Sequence, residues 1–197
     1  MNIKDFYLFG SSFSRELVSV SNDSLDFETY GRVLKGQYEG LTFPIFFIQE
    51  SGKKWNDVIN AGSVGLYLLS QRFIELLKNN NISGWKSFDV VIKSKNGEEI
   101  TNYFGLSIIG KGGKIDYSRS SVIEKRIVPN GLMVKYYKGM FFRQEEWSSS
   151  DFFIPEDTLH IIISKKVQRL IEENKITNAV IQNITEYEIP EYAVLDK

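Results

Sequence analysis

The chain has 197 residues, 42% of them hydrophobic and 14% aromatic, which excludes a disordered polymer and suffices for one large domain or two small, closely packed lobes. Lys+Arg 24 against Asp+Glu 25 leave a formal net charge of -1, so no global field draws the chain to nucleic acid or to an anionic membrane. Zero cysteines exclude disulfides, thiolate metal sites and cysteine nucleophiles, which suits a reducing cytoplasm, and no apolar run reaches membrane-spanning length.

The segment Met1 to Tyr7 carries an acid early and has neither a long apolar stretch nor a small-residue cleavage site, so no secretory signal is expected and the expected localisation is cytoplasmic. Phe6-Tyr7-Leu8-Phe9 is a short aromatic strand, followed by Ser-rich sequence through Ser24 that reads as loop. Gly40 to Ile48 has the character of a buried or edge strand, with Pro44 near its start where a missing N–H is tolerated. The sequence from there to Gly65 reads as irregular.

Next comes a unit that occurs twice. Leu66-Tyr67-Leu68-Leu69-Ser70-Gln71-Arg72-Phe73-Ile74-Glu75-Leu76-Leu77 returns as His160-Ile161-Ile162-Ile163-Ser164-Lys165-Lys166-Val167-Gln168-Arg169-Leu170-Ile171, at a constant offset of 94 (70 to 164). Each copy is an apolar strand that stops at a serine, after which apolar residues recur at helical spacing. The serines stand where a side-chain oxygen accepts from the first free helix N–H groups, so both read as N-caps, and replacing either by Ala is expected to cost about 1 kcal/mol. The tails Asn80 to Gly84 and Asn174 to Asn178 also align, ending on residue types that tolerate a left-handed backbone.

Between the copies, Phe88 to Lys93 runs into Lys95-Asn96-Gly97-Glu98, a strong hairpin signal, with Ile100 to Ile109 as the returning strand. A second hairpin centres on Pro129-Asn130-Gly131, between Ser121–Val128 and Leu132–Tyr137, where imperfect alternation leaves the register open. Phe141 to Ser150 is a polar, aromatic connection. After the second helix, Ala179 to Ile184 reads as a last strand and Thr185 to Lys197 as an acidic surface tail. The expected fold is α+β, with mostly antiparallel sheets, two principal helices and a duplicated strand-helix unit. The expected organisation is a single domain spanning residues 1–197, with an irregular N-terminal region (residues 1–40) and a core (residues 41–190) in two packed lobes.

Chemistry is sparse. The sole histidine, His160, sits in an apolar run where its repeat partner is Leu66, which favours a structural strand position over a catalytic base. With one His and no Cys, neither a zinc site nor a Ser-His-Asp triad has a supporting motif, and no cofactor or metal is expected. Gly110-Lys111-Gly112-Gly113-Lys114-Ile115 lacks the spacing and the Ser or Thr of a phosphate-binding loop and reads as a turn between strands. Lys111, Lys114, Arg119, Lys125 and Arg126 form a basic stretch diluted by Asp116 and Glu124, best read as a solvated face.

The order of the segments Tyr103 to Ile109, Ile115 to Ser120, Ser150 to Phe153 and Ile161 to Val167, preceded by the Leu69-Ser70-Gln71-Arg72-Phe73 unit, resembles the family-eleven immunity proteins of bacterial polymorphic toxin systems, first catalogued as a domain of unknown function. The resemblance covers about residues 43 to 187, with Asn178 where a glycine would be expected before the last strand. It implies a cytoplasmic, non-enzymatic protein that binds a cognate toxin and blocks it, and it brings no catalytic residues. Tyr, Trp and Arg anchor protein interfaces disproportionately, so Tyr136, Tyr137, Arg143, Glu145, Glu146 and Trp147 are the expected partner-binding residues. The tail acids Glu186, Glu188 and Glu191 form a second candidate, suited to a basic partner face. The alternatives are a small hydrolase using carboxylates such as Asp116, Asp151 and Glu156, and a self-associating scaffold.

Overall fold

A computed structural model describes residues 2–62, 65–129, 131–156 and 158–194. In chain order the elements are β1 (Phe6–Gly10), β2 (Ser19–Ser21), α1 (Phe27–Leu34), β3 (Ile45–Ser51), β4 (Val58–Asn60), β5 (Tyr67–Ser70), α2 (Gln71–Asn79), β6 (Trp85–Lys93), β7 (Glu99–Ile100), β8 (Tyr103–Ile108) and β9 (Lys111–Gly112). They continue as β10 (Ser121–Arg126), β11 (Met133–Lys138), β12 (Phe152–Pro155), β13 (Ile162–Ser164), α3 (Lys165–Glu173), β14 (Val180–Asn183) and β15 (Glu188–Pro190).

The α+β class holds, but the sheets are not all open. Strands β3-β2-β4-β5-β8-β6 run side by side, and β6 returns to β3 in parallel register from Ile45↔Val90 to Ile48↔Lys93, closing a six-stranded barrel with β7 attached to β6. Strand β3 shows how the sequence permits closure: Ile45, Phe47 and Gln49 are buried while Phe46, Ile48 and Glu50 face out, the alternation of a strand with one wet face.

A third α-helix, α1, lies in the N-terminal region (residues 1–40) expected to be irregular. Asp26 caps it by accepting from the Thr29 N–H at 2.8 Å, and Tyr30, Val33 and Leu34 are buried. Strand β4 likewise occupies a stretch read as irregular.

The second sheet has the order β14-β1-β13-β12-β9, and its central strands β1, β13 and β12 are buried on both faces. Phe9, Phe152, Ile154, Ile161 and Ile163 join the core shared with the barrel, while Phe6, Leu8, Phe153 and Ile162 join a second, smaller core with Met140, Phe142, Ile184 and Ile189. Two-sided burial explains why Ile161-Ile162-Ile163 and Phe152-Phe153 are apolar without alternation.

The sequence repeat is a structural one and is longer than its apolar signature. Val58↔Leu69 and Ile59↔Leu68 in the barrel match Phe152↔Ile163 and Phe153↔Ile162 in the second sheet, each pair shifted by the same offset. Each copy then needs a third strand. Strand β8 supplies it in the barrel, where Gly105 opposes Leu68 and Phe88, and N-terminal β1 supplies it in the sheet, where Leu8 opposes Ile162 and Gln182.

The third sheet, β10-β11-β15, covers one side of the second core. Its β15 belongs to the segment expected as a surface tail, and Ile189 there is buried, so the tail is integral to the fold as far as Val194. Residues 195–197 of that tail lie outside the described residues, as does Asn130 of the expected turn.

Candidate functional site

The three-stranded sheet is where the two candidate binding segments meet. Strand β11 pairs with β10 over six residues from Ser121↔Lys138 to Arg126↔Met133, and on its other edge with β15 through Tyr136↔Pro190, Tyr137↔Ile189 and Lys138↔Glu188. The hairpin expected around Pro129 to Gly131 therefore forms, and its register is now defined.

Alternation puts Tyr136 and Tyr137 on opposite faces. Tyr136 faces out, with the Lys125 ammonium 4.4 Å from its ring centroid. Tyr137 faces in, beside Tyr117 at 5.2 Å between centroids and next to buried Ile189. The tail acids are largely engaged by this same sheet: Lys125 pairs with Glu188, and Lys138 with Glu186 at 2.6 Å. Glu186 raises the Lys138 pKa by hydrogen bonding and charge.

The other expected binding residues lie apart from the sheet, on the 3-10 turn Gln144–Glu146 and its ends. Arg143 and Glu145 are exposed, Arg143 reaches Glu146 at 3.3 Å, and Glu146 accepts from the Lys114 N–H at 3.3 Å. Trp147 turns into the second core, edge-on to Phe6 at 5.1 Å and tilted against Phe153 at 5.7 Å. Its indole N–H is buried without a hydrogen-bond partner.

Between the third sheet and the open end of the second lies a cavity of about 810 Å³, lined among others by Leu8, Lys114, Tyr117, His160, Tyr187 and Ile189. His160 meets Tyr187 edge-on at 5.3 Å, and burial pushes its imidazole below the ordinary value. Of the three carboxylates offered for catalysis, only Glu156 lines this cavity. Asp116 caps the turn Tyr117–Arg119 by accepting from the Ser118 hydroxyl and N–H, which lower its pKa. Asp151 accepts from the Ser164 hydroxyl at 2.7 Å and from Ser83.

The glycine-rich stretch is a strand edge. Strand β9 pairs in parallel with β12, and a Cβ on Gly110 would lie 2.0 Å from the Phe152 carbonyl oxygen, so close backbone approach is what that glycine permits. Of the two serines, Ser70 accepts from the Phe73 N–H at 3.3 Å, but Ser164 makes no capping bond, contrary to expectation. Each hydroxyl also donates to an aspartate, Ser70 to Asp57 and Ser164 to Asp151, both at 2.7 Å. Asp57 was missed because only the apolar frame of the repeat stands out in the sequence; Asp57 and Asp151 share its offset.

Among the described residues no helix is long and apolar enough to cross a membrane, and no group of three or more His, Cys, Asp or Glu is placed to hold a metal. No curated protein matches the chain significantly. The model of the Immunity protein family (Imm11) matches residues 14–186, so the match spans the barrel, the hairpin and all but β1 of the second sheet, and the chain belongs to that family.

Proposed function

We propose that this protein is a non-enzymatic, cytoplasmic immunity protein that binds a cognate bacterial toxin and blocks it by occlusion. Family membership supports the role. The observation that carries the mechanism is the third sheet, whose β10–β11 hairpin presents large apolar and basic side chains to solvent beside half-buried Tyr136, a gathered patch of the kind that marks an interaction site. Tyr136, Tyr137, Arg143, Glu145, Glu146 and Trp147 are proposed to contribute, with Trp147 acting from beneath by fixing the turn that displays Arg143 and Glu145.

Two measurements test this. Cells deprived of the protein should be inhibited by toxin-bearing sister cells and rescued by its re-expression; unchanged survival of the deprived cells would refute the immunity role. With purified toxin, inhibition by occlusion should titrate to completion at a fixed stoichiometry. Loss of toxin activity at far less than one equivalent would instead mean turnover, and the non-enzymatic reading would fall.

A further inference from the structure

We infer that the far end of the β10–β11 hairpin is the docking arm, and that it enters an apolar cleft on the toxin flanked by carboxylates. The inference rests on the immunity function proposed above.

Strand β15 supports β11 only from Tyr136 to Lys138, so the hairpin beyond Tyr136 has no third strand. On that free end Ile127, Val128, Leu132 and Met133 are 58%, 57%, 88% and 51% exposed, and Val122, nearer the base, is 58% exposed. Large apolar side chains gathered in one short projection mark an interaction site, whereas single ones scattered over a surface do not. Within the described residues of this end, Arg126 donates to the Gly131 carbonyl at 3.0 Å and the Gly131 N–H to the Val128 carbonyl at 3.0 Å.

Charge selects the occupant. The hairpin carries Lys125, Arg126, Lys135 and Lys138 against the single acid Glu124, in a chain of net charge -1. Lys125 and Lys138 are held by Glu188 and Glu186, and among the described residues Arg126 and Lys135 form no ion pair. A partner of complementary potential therefore offers carboxylates around its apolar cleft. A second copy of this chain fits poorly, because two tips meeting would bring like charges together. Strand addition at the free edge of β10 is also disfavoured, since Glu124-Lys125-Arg126 places three consecutive charges there, a device that guards edges against pairing.

The test is site-specific photocrosslinking in toxin-exposed producing cells, with benzoylphenylalanine at Leu132 and, as a control, at Phe46, which is 61% exposed on the outer face of the barrel. The expected adduct forms from position 132 and not from 46. It contains a protein that arrests growth when expressed without this chain, and its linked peptide carries Asp or Glu beside apolar residues. With that toxin purified, Leu132→Asp and the pair Arg126→Glu/Lys135→Glu should each weaken binding by about tenfold or more while leaving thermal unfolding unchanged. A toxin that crosslinks from 46 but not 132, or that binds both variants as tightly as the wild type, overturns the docking arm and leaves the immunity role standing. A self-adduct from position 132 overturns it in favour of a dimer. No adduct from either site, together with survival of cells lacking the chain, overturns both the arm and the function on which it rests.

Discussion

Asp57 and Asp151 stand in equivalent places of two copies of one clasp, and each grips the other copy. The Asp57 carboxylate accepts from Ser70 of its own unit at 2.7 Å and from the Thr177 N–H and hydroxyl of the second unit's tail, both at 2.9 Å. The Asp151 carboxylate accepts from Ser164 at 2.7 Å and from the Ser83 N–H and hydroxyl of the first unit's tail, both at 3.1 Å. The backbone repeats the exchange, for the Val58 N–H donates to the Thr177 carbonyl and the Phe152 N–H to the Ser83 carbonyl. The two clasps tie the barrel to the second sheet from both directions.

The copies differ in their cation, which predicts unequal costs. Arg72 pairs with Asp57 at 2.5 Å, whereas Lys166 lies 3.8 Å from Asp151. Asp57→Ala leaves Thr177, Ser70 and Arg72 without their acceptor and should cost about 3 kcal/mol. Asp151→Ala should cost less, about 2 kcal/mol, having no close ion pair to lose. Arg72→Ala should cost at most about 1 kcal/mol, because that side chain is more than half exposed. Urea unfolding of the three variants checks the order; an Arg72→Ala loss equal to that of Asp57→Ala would show that the ion pair, not the hydrogen-bonded clasp, dominates.

Acid should find the same clasp. Burial pushes the Asp57 carboxyl up, but the Arg72 guanidinium, the Thr177 N–H and the Ser70 and Thr177 hydroxyls outweigh it and hold the pKa at about 2, against 3.8 ordinarily. A depressed folded pKa contributes stability that is fully present above the unfolded value and is lost as pH falls through 3.8 toward 2. This group contributes about 2 kcal/mol of that acid-labile stability. Asp57→Asn should therefore be less stable than the wild type at neutral pH, and the gap should narrow as pH falls to about 2. A gap independent of pH would refute the assignment.

The left-handed residues that end the two tails do different work. Gly84 has φ +85°, and a Cβ there would lie 2.0 Å from the Phe152 carbonyl oxygen; its counterpart Asn178 has φ +60° and uses its side chain, with Oδ1 accepting from the Ser12 N–H at 3.1 Å and Nδ2 donating to the Val58 carbonyl at 2.9 Å. Gly84→Ala should cost about 3 kcal/mol through strain and collision. Asn178→Gly frees the backbone yet should still cost about 1 kcal/mol in lost hydrogen bonds. Equal or greater stability of Asn178→Gly in thermal unfolding would show that those bonds contribute nothing.

How much of this was legible follows from the range over which each signal acts. The repeat showed itself because Phe73, Leu76 and Leu77 and their partners Val167, Leu170 and Ile171 carry local helical periodicity, and the Asn96-Gly97 hairpin because its turn chemistry is local. Barrel closure was hidden: it depends on Ile45 meeting Val90 in a parallel pair, which no turn residue announces. Helix α1 is only eight residues long and buries just Tyr30, Val33 and Leu34, too little for periodicity to stand out. At the candidate surface the aromatic residues were visible in sequence, but not which face each would take, since Tyr136 and Tyr137 are separated only by the pleat. The clasps were hidden for a third reason, because their polar members are single residues spread over a unit recognised by its apolar ones.

Trp147 provides the last test, because its placement separates packing from recognition. Its ring fills space against Phe6 and Phe153, while its buried indole N–H has no acceptor. An unsatisfied buried donor is a penalty of about 1–3 kcal/mol that a phenylalanine would not incur. The smaller ring forfeits some packing in exchange, about 1–2 kcal/mol. The two effects nearly cancel, so Trp147→Phe should change unfolding stability by no more than about 1 kcal/mol, whereas Trp147→Ala, which loses the packing without replacement, should cost about 3 kcal/mol or more. A loss of several kcal/mol in Trp147→Phe would mean that the indole N–H is bonded after all. If Trp147 serves the interface only by supporting the turn from beneath, Trp147→Phe should also leave toxin affinity within about twofold of the wild type, while direct contact with the toxin would lower it by about tenfold.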